Sequence, residues 1–143
     1  MNYLDVTYRY PTRFVVVEGI RLAYVDVNEF GGDPVVFLHD VAGDLDAFAQ
    51  AYERIGRTRR AVGFDFPGFG KSDRPPIDDA VVFHTGVLEG FLSAVDIDRA
   101  SLVGHGLGAA VAAGLGVRAR QRWRMPRELR APNIAPSGEN SMD

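Results

Sequence analysis

The sequence contains no cysteine, which excludes disulfides, thiolate chemistry and cysteine-based zinc sites. It has no apolar run near the roughly 18 residues of a membrane span; the longest early one is the short Phe14–Val17. Its first residues, Met1-Asn2-Tyr3-Leu4-Asp5, lack the basic patch and apolar stretch of a secretory signal. These absences point to a soluble, cytoplasmic protein with no membrane partner. Lysine is almost missing, with Lys71 alone against 15 arginines. Histidine is scarce too: His39, His84 and His105 are the whole set, and none follows residue 105. What remains is ordinary for a folded chain. The 143 residues are 46% hydrophobic and 24% charged, enough for one domain and not for two.

Charge divides the chain unevenly. Residues 1–117 hold 16 acidic and 10 basic side chains, whereas residues 118–143 hold 3 acidic and 6 basic ones, all arginine. The second stretch also carries Pro126, Pro132 and Pro136 and has no hydrophobic periodicity. The expected organisation is therefore an ordered body over residues 14–117 and a basic, proline-containing, poorly ordered tail over 118–143. Trp123 among six arginines is compatible with a nucleic-acid arm. The arginine-over-lysine bias suits a GC-rich coding sequence, however, and a solvated or accidental tail with no nucleic-acid partner is the expectation.

Along the body, Phe14–Val17, a turn at Gly19 and Leu22–Val27 read as a β-hairpin. The unbroken run Val35-Val36-Phe37-Leu38 reads as a strand buried on both faces. From Asp44, residues Leu45, Phe48, Ala49 and Tyr52 recur at helical spacing until Gly56. Arg60–Phe66 is a further strand, closed by Pro67-Gly68. After Pro75-Pro76, Asp78 or Asp79 can cap a helix bearing Val81, Leu88, Leu92 and Val95. Ser101-Leu102-Val103 is a fifth strand, and Leu107 to about Arg120 a small-residue helix. A hairpin followed by alternating strands and helices predicts an α/β fold with a mainly parallel sheet.

The informative segment is Gly104-His105-Gly106-Leu107-Gly108, between the fifth strand and the third helix. Alternate glycines there permit a sharp turn and close backbone approach. This segment resembles the Gly-His-Ser-x-Gly nucleophile elbow of the α/β-hydrolase superfamily, with glycine in place of the nucleophile. Asp65-Phe66-Pro67-Gly68-Phe69-Gly70-Lys71-Ser72-Asp73 is similar to the loop after that family's fourth strand. Leu38-His39-Asp40 stands where the family opens its oxyanion loop with His-Gly. The three signals occur in family order over about residues 14–117. The resemblance implies the N-terminal portion of a hydrolase fold, with an incomplete sheet, whose intact relatives cleave small ester, epoxide or haloalkane substrates.

It also implies roles and exposes departures. By position, the backbone N–H groups of Val41 and Leu107 would be the oxyanion donors. Gly106 offers no attacking atom, for either a serine or an aspartate mechanism. Asp40 replaces a glycine beside the oxyanion loop, and its charge would oppose the charge such donors stabilise. The family's acid and histidine come after the nucleophile, but no histidine follows residue 105. The expectation is no intact catalytic residue and no triad-dependent turnover, with a non-catalytic interaction or assembly module as the alternative. Self-association would run through an exposed sheet edge beside the fifth strand.

Other readings are weaker. His105 is expected to pack or hydrogen-bond below the sheet, His39 to be structural, and His84 to lie on a surface or rim. Ser72, Asp65 and Asp73 are expected to hold turns. Gly70-Lys71-Ser72 ends like a P-loop, but the required earlier glycine is Asp65 and no helix follows directly. Gly104-x-Gly106-x-x-Ala109 fits a dinucleotide fingerprint, yet no strand with a ribose-binding acid follows about 20 residues on. No cofactor and no metal are expected.

Overall fold

The computed structural model describes residues 7–122, with side chains through residue 118. Its centre is set by two strands without a polar face. β3 (Val35–Leu38) and β4 (Ala61–Phe64) are buried at every position. Such strands are stable only between two covering layers. They pair in parallel, Val35 opposite Ala61 and Phe37 opposite Gly63. β5 (Ser101–Gly104) joins β3 in parallel on its other side, with Leu38 opposite Gly104.

β1 (Arg13–Val17) and β2 (Ile20–Val27) form the expected hairpin, and β2 runs antiparallel to β4. The strand order is β1-β2-β4-β3-β5. The sheet is thus mixed, three parallel strands flanked by the expected antiparallel hairpin. The hairpin closes through the two-residue turn Glu18-Gly19, with φ of +49° and +80°. Positive φ at both central positions matches the twist of antiparallel strands and returns the chain on itself.

Alternation on the central strands sorts side chains into two cores. Val35, Phe37 and Ala61 face the side holding Tyr8, Leu45 and Tyr52. This side is covered by a 3-10 turn (Leu45–Phe48) and α1 (Ala49–Ile55), which Asp44 opens by accepting a hydrogen bond from the Asp46 N–H at 2.9 Å. Val36, Leu38, Val62 and Phe64 face the opposite side, against α2 (Ala80–Ala94) and α3 (Leu107–Arg122). Asp79 caps α2 through the Val82 N–H at 3.1 Å. α3 crosses the expected boundary after residue 117 and continues to Arg122; the expectation of a poorly ordered tail beyond that lies outside the described residues. Among the described residues, no helix is long and apolar enough to cross a membrane.

Candidate functional site

The C-terminal ends of β3 and β5 lie side by side, so the loops leaving them must meet. β5 turns into α3 through His105 and Gly106, and Gly106 takes φ of +58°. The flanking glycines make the turn possible. A Cβ on Gly104 would stand 2.5 Å from the Ala109 nitrogen, and one on Gly108 would overlap the Leu38 carbonyl. The His105 N–H donates to that same carbonyl oxygen at 3.1 Å, stitching the turn to β3.

The facing loop begins at His39, which is buried. Its Nε2 accepts from the Phe66 N–H at 3.0 Å, so its proton sits on Nδ1 and is donated to the Asp40 carbonyl oxygen at 2.7 Å. Phe66 and Phe69 flank the ring at 4.8 and 5.5 Å. Burial lowers the His39 pKa. Both nitrogens are committed to the backbone in the neutral form. A ring so engaged orients a loop and has no free lone pair for a substrate proton.

Asp40 turns its side chain across the gap between the loops. Its Oδ1 accepts from the Val41 N–H at 2.8 Å and from the Leu107 N–H at 2.9 Å. Those two bonds, Leu107 first, hold the carboxyl below the usual aspartate range. A Cβ on residue 106 would overlap the Asp40 carboxylate at both oxygens and Cγ. The Val41 and Leu107 N–H groups therefore converge on one atom, Asp40 Oδ1, which belongs to the chain itself. In the sequence the only sign of this contact is a pair of separate departures from the resembling pattern, an aspartate at 40 and a glycine at 106, and the 66 positions separating them leave nothing to connect the two.

The remaining candidates are placed as follows. His105 is exposed, contrary to the expectation that it packs below the sheet. It stands in the turn just past β5, the edge strand of the sheet among the described residues. His84 is corrected in the opposite sense. It is 1% exposed, with its ring 4.8 Å from Phe66 and 5.4 Å from Phe83. The apolar face of α2 extends to its first turns, and His84 points with it into the core. Its Nδ1 is buried without a hydrogen-bond partner, and burial pushes its pKa down to about 4.

Ser72 is buried; it donates to the Asp65 carbonyl at 2.6 Å and accepts from the Ala23 N–H at 2.9 Å. Asp65 accepts from the Tyr8 hydroxyl, the Leu45 N–H and the Lys71 N–H at 2.6, 2.7 and 2.8 Å. Burial raises its carboxyl pKa against those donors. Asp73 accepts from the Arg21 N–H at 2.9 Å. These side chains brace loops against the hairpin and none reaches the elbow. Among the described residues, no group of three or more His, Asp or Glu is placed to hold a metal. A surface cavity of about 100 Å³ beside Pro34 and Ser101 lies at the opposite ends of β3 and β5.

Comparison with known proteins agrees with the elbow. A profile of the alpha/beta hydrolase fold family matches residues 33–124. An acetyltransferase component of the acetoin cleaving system from Cupriavidus necator is 33% identical over 110 residues, covering 77% of this chain and 29% of that protein. A 2-hydroxy-6-oxo-2,4-heptadienoate hydrolase from Pseudomonas putida is 33% identical over 116 residues, covering 78% of this chain and 41% of the relative. The chain thus spans less than half the length of either relative. Among solved structures, an enol-lactonase from Burkholderia xenovorans superposes with a TM-score of 0.70 at 22% identity, over 78% of this chain and 44% of the other. The profile covers more than half of the sequence, and the chain belongs to the alpha/beta hydrolase fold family.

Proposed function

We propose that this chain is the N-terminal portion of a hydrolase fold that performs no covalent hydrolysis at its elbow. The observation that carries this reading is the pairing of Gly106 with Asp40. Residue 106 has no atom to attack an acyl, epoxide or haloalkyl carbon. Asp40 Oδ1 already takes the Val41 and Leu107 N–H groups. An oxyanion of a tetrahedral intermediate needs donors aimed at it, and these two are bonded elsewhere. The same occupation weighs against a pyrophosphate at this turn, since the Gly108 and Ala110 amides also bond to the His105 and Gly106 carbonyls. The relatives that hydrolyse dienoates or lactones therefore lend this chain their scaffold rather than their turnover.

The test is direct. The purified chain, given an activated ester such as p-nitrophenyl acetate, should release product no faster than a heat-killed sample. Hydrolysis well above that control, with Gly106 verified, overturns the reading.

A second reading, as an interaction or assembly module, is favoured by the outer edge of β5. Among the described residues no strand pairs there, and Val103 is 41% exposed. Open edges with apolar side chains promote pairing between chains. Light scattering should report oligomers; a compact monomer at high concentration removes this reading.

A further inference from the structure

We propose that Asp40 is the resident anion of the cradle formed by the Val41 and Leu107 N–H groups, and that its carboxylate and a side chain at position 106 exclude one another. The loop after β3 thereby closes the elbow in cis against any outside oxyanion or small carboxylate. The inference rests on the functional reading above and deepens it: the glycine and the aspartate are two halves of one contact.

Three features build that contact. The Asp40 main chain is pinned first, since its carbonyl accepts from both the His39 ring at 2.7 Å and the Gly43 N–H at 3.1 Å. The side chain is then left within reach of Leu107, the first residue of α3. An opening N–H of a helix has no partner within the helix and sits at its positive end, so a carboxylate there is favoured twice. The Val41 N–H supplies the second bond to the same oxygen. Finally, the carboxylate stands in the volume that any side chain at 106 would enter, because a Cβ there overlaps it. His105, and His39 when it is protonated, are the titratable groups that act on Asp40, and both favour its ionised form.

Exclusion differs from two independent losses in a measurable way. Gly106→Ser carries a backbone penalty in any background, because φ of +58° disfavours an L side chain. Only if Asp40 occupies the same volume does that penalty depend on residue 40. The experiment compares Asp40→Gly, Gly106→Ser and the double variant with the unaltered chain by chemical denaturation. Gly106→Ser should shift the folding equilibrium toward the unfolded state at least about tenfold more with Asp40 present than with glycine at 40. If Gly106→Ser alone fails to fold while the double variant folds, the exclusion is demonstrated in its strongest form. Equal penalties in the two backgrounds overturn it.

A second measurement needs no risky variant. In the unaltered chain, NMR amide signals of Val41 and Leu107 should move together with the Asp40 carboxyl signal as acid is added. Asp40→Asn should abolish that shared titration. Amide signals that ignore the titration of Asp40 overturn the proposal. Both readouts concern folding and hydrogen bonding, so they are separate from ester turnover, which tests the functional reading alone.

Discussion

His84 should make this fold acid-labile well above the range where carboxylates titrate. Its ring is 1% exposed among Phe66, Phe69 and Phe83, and its pKa falls from 6.5 to about 4 through burial, with a smaller push from His39. A histidine with a lowered folded pKa binds its proton more readily when unfolded. Stability is therefore full above pH 6.5 and drains as pH falls toward 4. A shift of that size is worth about 3 kcal/mol, with a slope of about 1.4 kcal/mol per pH unit for one proton. That is a large share of the roughly 5–15 kcal/mol of a typical domain. His39, also lowered by burial, adds loss in the same direction. Asp65, raised by burial, works oppositely, favouring the fold as pH falls through its own range. His84→Phe isolates the first contribution. It removes the titrating group and the unpartnered Nδ1 while keeping a ring of similar size against aromatic neighbours. Denaturant unfolding at pH 7, 6, 5 and 4 should show the acid limb flattened by about one proton in the variant. Stability at pH 7 should be unchanged or higher by about 1 kcal/mol, since an unsatisfied buried polar atom is destabilising. An acid limb of unaltered slope in His84→Phe refutes the argument.

Other perturbations have equally defined outcomes. Asp26 and Arg60 form a two-pronged ion pair at 3.0 and 2.6 Å with side chains 2% and 11% exposed; Asp26→Ala leaves a desolvated guanidinium and should cost about 3 kcal/mol by denaturant titration, and a loss under about 1 kcal/mol contradicts this. Gly108→Ala should cost more than about 3 kcal/mol or prevent folding, because its Cβ meets the Leu38 backbone rather than a movable side chain; near-normal stability would mean that β3 and the elbow are not in close contact. Tyr8→Phe removes one of three donors from buried Asp65 and should cost about 1–2 kcal/mol while raising the Asp65 carboxyl further, visible in its NMR titration.

Most of the architecture is legible from local rules because those rules agree. Val35–Leu38 announces a doubly buried strand by lacking any polar face, and the structure gives it those bounds. Asp79 and the apolar spacing after it place α2 within a residue. What local rules miss depends on contacts distant in sequence. His84 looks like a rim residue from its polarity, yet packing of α2 against Phe66 buries it. His105 looks like a packing residue from its motif, yet it stands exposed in the turn between β5 and α3. Asp40 and Leu107 are separated by 67 positions, so a bond between them leaves no periodic trace.

The turn at residues 104–108 holds its shape with glycine at 106, and the reason lies in what surrounds it. A nucleophile at such a turn carries strain, commonly about 1–3 kcal/mol, that the surrounding fold must hold in place. Here the surroundings are intact: Gly104 and Gly108 still allow the backbone to close, and the Leu38 carbonyl still anchors the His105 N–H. Glycine at 106 adopts φ of +58° with little strain, so the turn holds without a side chain there. The Val41 and Leu107 amides need acceptors, and Asp40 satisfies both with a single oxygen. The turn is therefore a property of how β5 and α3 join β3. Backbone closure at Gly104 and Gly108 and the Asp40 contact hold its shape, and none of them requires a side chain at 106.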